Sequence, residues 1–140
     1  MKNRISVVTL GVSDLPKAVS FYQEGLGFSS DGIIGTEFEN GAVAFFDMQN
    51  GLKLALWPRT SIAADTGLSI QSSAALEFTL GHNVHSREEV DTAMLKAERA
   101  GAKIVKPATE TFYGGYAGYF QDLDEHLWEI VFNPQLLPND

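Results

Sequence analysis

The 140-residue sequence predicts an α+β fold made of two modules, each with the element order β-α-β-β-β. The first observation is an internal repeat: residues 9–11 and 79–81 both read Thr-Leu-Gly, at an offset of 70, which is half the chain. The second is that each repeated segment leads into an amphipathic helix and then into three strand-like runs. We therefore expect a single domain of two modules, 1–58 and 74–134, joined by a connector at 59–73.

Both predicted helices have recognisable starts. In the first half, Ser13 or Asp14 can accept hydrogen bonds from the free N–H groups of the first turn, and Pro16 fits that turn because it needs no donor. In the second half, Ser86 and Glu89 have the spacing of a capping box. Glycines end both helices, and they are Gly25 and Gly27 in the first half and Gly101 in the second.

Three strand-like runs follow each helix, separated by turn-forming pairs of residues. The turns are Asn40-Gly41 and Asn50-Gly51 in the first half and Gly114-Gly115 and Asp124-Glu125 in the second. The predicted strands are 33–38, 42–47 and 52–57 in the first half and 103–107, 116–122 and 127–132 in the second.

The composition excludes several classes of function. With 44% hydrophobic and 20% charged residues the chain is expected to fold as a globule. Its net charge of −8 repels nucleic-acid phosphates and anionic lipids, so we expect neither as a partner. No apolar run is long enough to cross a bilayer and the N-terminus lacks a secretion signal, so we expect a cytoplasmic protein. The absence of Cys excludes thiolate metal ligands.

Two sheets that curve towards each other would enclose a concave, mostly apolar cleft between the modules. Such a cleft is the usual binding site for a small molecule. The alternative is that the inner faces pack tightly against each other, as in an ordinary sandwich.

Three segments of the chain resemble the vicinal oxygen chelate superfamily, which includes glyoxalase I, extradiol dioxygenases, fosfomycin-modifying enzymes and bleomycin resistance proteins. They are 12–28, which reads VSDL…FYQEGLGF, then Ala100-Gly101-Ala102, and 119–130. The last is similar to the signature F-x-D-P-D-G-x-x-W-E, with Leu123 and Glu125 in place of Pro and Gly. The resemblance implies paired βαβββ modules around a cleft, and a homodimer.

The resemblance also implies four metal-ligand positions, on the first and last strands of each module. Counting from Asp14 and along the repeat, these positions hold Val7, Leu54, Glu77 and Glu129. Val7 and Leu54 have no donor atoms, so we expect no tightly bound catalytic metal and no other cofactor. The alternative is that His82 or a slip of one residue restores a ligand, but strand alternation places His82 on the other face from Glu77.

Glu77 and Glu129 each lie inside an apolar run, and we expect both in the cleft as candidate catalytic residues. Two facing carboxylates repel each other, so one would keep its proton and act as a proton donor or base. Alternatively, the pair holds a cationic ligand, or each carboxylate is solvated or paired with Lys53 or an Arg.

Six further side chains are candidates for ligand contact. The hydroxyls of Thr9 and Thr79 could orient a ligand, although Thr is also simply a good strand former. Aromatic residues that lie late in each module could form the walls of a ligand site, although aromatic residues also dominate protein cores. They are Trp57, Tyr113, Tyr116 and Tyr119. We expect His85 and His126 on the surface.

Two functions therefore fit the sequence. The first is a metal-independent module that sequesters a small, partly apolar and cationic compound, as the resemblance to bleomycin resistance proteins implies. The second is a glyoxalase-type or lyase-type enzyme that uses Glu77 and Glu129 for acid–base chemistry or as a weak metal site. A structural or regulatory protein with a vestigial cleft is a third possibility.

Overall fold

The computed structural model describes residues 1–71 and 76–140, and its contacts divide the chain into two units, 1–72 and 73–140. Each unit contains one four-stranded mixed sheet with a helix packed on it, which confirms the predicted α+β class and the repeated β-α-β-β-β order. Among the described residues, every helix is too short or too polar to cross a membrane.

The first unit has the strand order β1-β4-β3-β2, with β1 and β4 parallel and the other pairs antiparallel. Its α1 helix continues directly into a π-helical turn at Phe21–Gly25. The remaining elements are β1 Val7–Val12, α1 Leu15–Ser20, β2 Ser30–Ile34, β3 Val43–Asp47, β4 Lys53–Pro58 and α2 Arg59–Thr66.

The second unit repeats this topology with the strand order β5-β8-β7-β6 and a parallel β5–β8 pair. Its elements are β5 Leu80–Val84, α3 Arg87–Arg99, β6 Lys103–Glu110, β7 Tyr116–Gln121 and β8 Leu127–Phe132.

Both helices start at the caps that the sequence predicts. Asp14 Oδ1 accepts a hydrogen bond from Lys17 N at 3.1 Å, and Ser86 Oγ accepts one from Glu89 N at 3.2 Å. The Glu89 carboxylate completes the capping box one residue early, because it accepts from the backbone N–H of His85 at 2.9 Å rather than from that of Ser86.

Each sheet has a helix face, which packs on α1 or α3, and an open face on the opposite side. In the first unit, Phe46 of β3 lies on the helix face because its ring centroid is 5.9 Å from that of Tyr22. In the second unit, a Cβ added at Gly118 would lie 2.9 Å from the Met94 side chain of α3, so Gly118 also points to the helix face. Side chains in neighbouring positions along a strand therefore point to the open face.

The structure differs from the predicted elements in several places, and β6 extends to Glu110 rather than ending at 107. The second strand is Ser30–Ile34 rather than 33–38, and the connector holds a helix, α2, that the sequence does not predict. The strand expected around Glu77 is also wrong: Glu77 lies in a bend with an exposed side chain, and β5 begins only at Leu80. Ala75, the first residue of that expected strand, lies outside the described part of the chain.

The strand register also corrects the repeat. The two N-cap residues, Asp14 and Ser86, are 72 positions apart, so the offset is 72 at the first strand and helix rather than 70. On β4 and β8 the offset is 74 rather than 75, because Leu54 pairs with Val8 as Trp128 pairs with Leu80.

Two of the predicted correspondences therefore change. The counterpart of Glu129 in the first unit is Ala55, not Leu54, and the counterpart of Val7 in the second unit is Thr79, not Glu77. A slip of one residue matters because it moves a side chain to the other face of its sheet.

Candidate functional site

One row across the open face of the second sheet contains Glu129, Tyr119 and Gly81, and Lys106 of β6 continues the row beside Tyr119. Glu129 of β8 pairs with Tyr119 of β7 on one side and with Gly81 of β5 on the other. The next row contains Gly118 and faces α3, so the side chains of Tyr119 and Glu129 point away from the helix.

Tyr119 and Glu129 are joined by a hydrogen bond. The Tyr119 hydroxyl donates to Glu129 Oε1 at 3.1 Å, and both side chains are half-buried. Burial raises the pKa of Tyr119, and the hydrogen bond and negative charge of Glu129 and the nearby Tyr113 raise it further. The phenol therefore stays protonated at neutral pH and acts as a hydrogen-bond donor.

The third position of the row, Gly81, leaves open space beside Glu129. Apart from its chain neighbours, no atom of residues 1–71 and 76–140 lies within 4 Å of the point where a Cβ of residue 81 would be. Tyr119 is the one hydrogen-bond partner of Glu129 within residues 1–71 and 76–140, so the second carboxylate oxygen can accept from a ligand. We call this space the Gly81 gap.

Tyr113 reaches this region from the loop between β6 and β7. Arg87 of α3 holds the loop: its Nε and Nη2 donate to Glu110 at 2.8 and 3.0 Å, and Nη2 also donates to Gly114 O at 3.4 Å. The Arg87 guanidinium also lies 5.2 Å from the centroid of the Phe132 ring. These contacts fix the loop that carries Tyr113 to the helix.

Tyr116 lies on the other face of the sheet from Tyr119. Its hydroxyl donates to Asp91 Oδ1 on α3 at 2.8 Å, and this bond raises the pKa of Tyr116. Of the three tyrosines that the sequence names as candidates, the structure thus brings Tyr113 and Tyr119 near each other and places Tyr116 against the helix.

The first unit contains two of the candidate ligand-binding residues, Thr9 and Trp57. Thr9 lies on the open face, in a row with Ala55 and Phe45. The indole Nε1 of Trp57 donates to Asn40 O at 3.0 Å, so this side chain holds the loop between β2 and β3.

A family model of the Glyoxalase/Bleomycin resistance protein/Dioxygenase superfamily matches residues 4–130. The chain belongs to this superfamily. No match is found among curated protein sequences. The predicted resemblance is therefore confirmed at the level of the superfamily.

Solved structures of the superfamily share this fold. A glyoxalase-related enzyme from Fulvimarina pelagi is 35% identical, with a TM-score of 0.81 over 95% of this chain and 90% of that one. Fosfomycin resistance protein FosX from Listeria monocytogenes is 23% identical, with a TM-score of 0.69 over 95% of each chain. Lactoylglutathione lyase from Agrobacterium tumefaciens is 18% identical, with a TM-score of 0.68 over 96% and 97%.

The donor atoms of this chain do not fit the superfamily's metal site. In the corrected register the four ligand positions hold Val7, Ala55, Thr79 and Glu129, and only Glu129 offers a carboxylate. In the part of the chain that the structure describes, no three His, Asp or Glu side chains are grouped closely enough to hold an ion.

His82 does not replace a missing ligand. It pairs with Ile130, which pairs with Gly118, so His82 lies on the helix face as strand alternation predicts. Burial lowers the pKa of His82, while the charges of Asp140 and Glu89 act in the opposite direction.

The sequence fails to identify a buried Asp–His pair in the turn between β7 and β8. His126, expected on the surface, has a side chain only 12% exposed, and its Nδ1 lies 2.7 Å from Oδ2 of Asp122. Asp122 Oδ1 also accepts from the backbone N–H groups of Asp124 and His126 at 2.9 and 2.8 Å. The spacing of the Asp and His, four residues apart across a turn, is the one feature that could have indicated it. His85 is exposed, as expected.

Proposed function

We propose that this protein binds a small, partly apolar molecule through Glu129 and Tyr119 on the open face of the second sheet, without a catalytic metal. The ligand class that fits is a compound with a hydrogen-bond donor or a cationic group. Such binding would sequester the compound, as in the bleomycin resistance branch of the superfamily. The expectation that the two modules enclose the molecule in a shared cleft stays a prediction.

The observation behind this proposal is the Tyr119–Glu129 hydrogen bond beside the Gly81 gap. A half-buried carboxylate that is held in place by a phenol is a preorganised acceptor, because it needs no rearrangement to receive a donor. The absence of a side chain at Gly81 leaves space for the body of the ligand directly next to that acceptor. The acidic balance of the chain, −8, favours a cationic compound over an anionic one.

A thermal-shift screen against metabolites and cationic antibiotics tests this proposal. At least one compound that raises the melting temperature of the wild type should lose its effect in Glu129→Gln and in Gly81→Val, because the first removes the charge and the second fills the gap. Glu98→Gln, an exposed change of the same chemistry on α3, is the matched control and should keep the effect. If every stabilising compound gave equal shifts in all variants, the assigned site would be refuted.

A second function, catalysis, is favoured by one specific observation. Tyr119 is a protonated donor in contact with a carboxylate, which is the arrangement of a general acid beside a general base. The 35%-identical protein from Fulvimarina pelagi is described as a glyoxalase-related enzyme. Glu77, the expected partner of Glu129, has an exposed side chain outside any strand, so Tyr119 is the better partner in such a reaction.

Lactoylglutathione is the first compound to assay for turnover, because a lyase of that name shares the fold. If the protein is an enzyme of this type, Glu129→Gln and Tyr119→Phe should each reduce kcat by about 100-fold or more, the typical contribution of a general acid or base. Undiminished turnover in both folded variants would contradict the roles assigned to Glu129 and Tyr119. Metal binding is tested separately: the protein is incubated with zinc, nickel or manganese and dialysed, and elemental analysis then detects any tightly bound metal.

We also propose that the protein is a cytoplasmic homodimer that binds neither nucleic acid nor membranes. On the open face of the first sheet, Val7 is left 44% exposed in the single chain, and covering this apolar side chain in a dimer would be favourable. Light scattering should give twice the chain mass of 15.3 kDa, and a monomer at all concentrations would contradict the dimer.

A further inference from the structure

The edge strand β2 contains a bulge that is held in place by one serine. The pairing with β3 shifts between Ser30 and Ile33, and Gly32 has a φ of +86°, which only glycine adopts without strain. Ser30 Oγ donates to Phe45 O at 2.7 Å and accepts from Gly32 N at 3.0 Å. Gln23 Nε2 donates to Ser30 O at 3.1 Å, so the bulge is also tied to the end of the first helix.

The bulge forms one side of a pocket of about 280 Å³. Asp31 and Gly32 come from the bulge, and Ile34, Phe45 and Lys53 come from β2, β3 and β4. The Phe45 side chain is 36% exposed and that of Ile34 50%, so both offer accessible apolar surface. Bulges frequently redirect side chains beside binding sites, and this one gives the sheet a concave corner.

The two charged side chains that line the pocket, Lys53 and Asp31, differ in whether an ion pair balances their charge. Lys53 forms an ion pair with Asp47, directly opposite it on β3, so its positive charge is already matched. Asp31 has no ion-pair or hydrogen-bond partner within residues 1–71 and 76–140. The unmatched charge in the pocket is therefore a carboxylate, and it shares the lining with the apolar Ile34 and the aromatic Phe45.

We propose that this pocket is a binding site for a small organic cation: an ammonium group that pairs with Asp31 and an apolar or aromatic body that packs on Ile34 and Phe45. An exposed aromatic face beside a carboxylate favours a cation by both charge and cation–π attraction. The site shares no residue with the Tyr119–Glu129 pair, so variants can test the two proposals separately.

Three probes of similar shape and different charge test the proposal. 2-Phenylethylamine, 2-phenylethanol and 3-phenylpropionate are each titrated into isotope-labelled full-length protein, and amide chemical shifts are recorded by NMR. The amine should shift the amides of Gly32, Ile34 and Phe45 and bind about three- to fivefold more tightly than the alcohol, the range expected for one partly exposed ion pair. The propionate should bind most weakly.

Two variants separate the contributions of charge and of apolar contact. Asp31→Asn should remove the preference for the amine over the alcohol, whereas Phe45→Ala should weaken both by about tenfold, because each loses buried apolar area. Lys53→Met should strengthen binding of the amine, because Asp47 is then released to attract it. Glu129→Gln, which disrupts the site of the proposed function, should leave all these shifts unchanged.

Equal affinity for the three probes, or tightest binding of the propionate, would overturn the proposal. So would amine-induced shifts that are absent from the pocket amides and cluster at Tyr119 and Glu129 instead. That last result would at the same time support the Tyr119–Glu129 site, so the two proposals can fail separately.

Discussion

The ionisation of Tyr119 reports directly on the Tyr119–Glu129 site. Its pKa lies above the ordinary value because of burial and because a phenolate would stand next to the Glu129 carboxylate. Glu129→Gln removes that negative charge, so we expect the pKa of Tyr119 to fall towards the ordinary value. Tyrosinate absorbance during an alkaline titration measures this change.

The background for this titration is Tyr116→Phe, because the pKa of Tyr116 is also raised, by Asp91. Tyr119→Phe then identifies the transition that belongs to Tyr119. An unchanged Tyr119 transition in Glu129→Gln would mean that the two side chains are not in contact in solution.

Asp122 is the residue whose loss should destabilise the second unit most. Its carboxylate is buried and accepts from two backbone N–H groups and from the ring of His126. Asp122→Ala leaves these donors unpaired, and we expect a loss of about 2–4 kcal/mol in the free energy of unfolding. Urea denaturation measures it. Asp122→Asn keeps one acceptor oxygen and should lose less, whereas equal midpoints for wild type and both variants would contradict the role.

His82 should make stability depend on pH. Burial lowers its folded-state pKa below the unfolded value of 6.5, so the unfolded state binds more protons between the two values. The stability that neutral His82 contributes is therefore fully present above pH 6.5, and it is lost as the pH falls through the pKa of His82 in the folded state. In His82→Gln the free energy of unfolding should decline less over this range, as measured by urea denaturation at a series of pH values. Parallel curves for the two proteins would refute the assignment.

The position of a site residue could be predicted from its apolar sequence neighbours only where the residue lies in a paired strand. Glu129 and Glu77 both lie in apolar runs of sequence, yet only Glu129 lies in a strand. The alternation of apolar residues does not show where pairing begins, and here it begins at Leu80. His126 was missed for a different reason: a turn position predicts exposure, but Asp122 draws the ring inwards.

At the scale of elements, two glycines on the open faces, Gly11 of β1 and Gly81 of β5, should respond differently to the same substitution. In the first unit α2 packs over Gly11, where an added Cβ would lie 2.9 Å from Arg59 Cγ and 3.4 Å from Ile62 Cδ1. In the second unit, no described atom apart from those of its chain neighbours lies within 4 Å of an added Cβ at Gly81. Gly11→Ala should therefore destabilise by about 1–3 kcal/mol through overpacking.

Gly81→Ala is the matched control for this prediction. It should be neutral or stabilise by up to about 1 kcal/mol, because alanine reduces the freedom of the unfolded chain without a clash. Thermal and urea denaturation of the two variants measure the difference. If both variants lost the same stability, α2 would not rest on the open face of the first sheet.

Elements with complete signals in the sequence were predicted best. The capping box at Ser86 predicted the observed start of α3, and the apolar run 127–132 after the Asp124-Glu125 turn predicted the observed start of β8. β2 was displaced because its bulge interrupts the period of two on which strand prediction depends. Helix α2 was missed because its residues, Arg59–Thr66, follow no apolar period and its start has no side-chain cap.

At the scale of the whole molecule, the repeat made the fold predictable but not the site. Recurrence of the element order over half the chain was enough to predict two similar sheets, and small errors in the offset do not change that result. The same errors assigned Leu54 and Glu77 to ligand positions that Ala55 and Thr79 occupy. The identity of a site residue changes with a shift of a single position in the register.

The net charge of −8 should make the stability of the protein depend on the salt concentration. Surplus carboxylates repel one another in the folded state, whereas the surface ion pairs Lys53–Asp47 and Arg87–Glu110 are largely exposed and contribute little. Screening should therefore weaken repulsion more than attraction, and raising NaCl from about 0.01 M to about 0.5 M should raise the urea midpoint. Replacing the exposed Glu37 and Glu39 by Gln reduces the net charge from −8 to −6 and should make this increase smaller. A midpoint that falls with salt would mean that attractive pairs, not the acidic surplus, dominate the electrostatics of the folded chain.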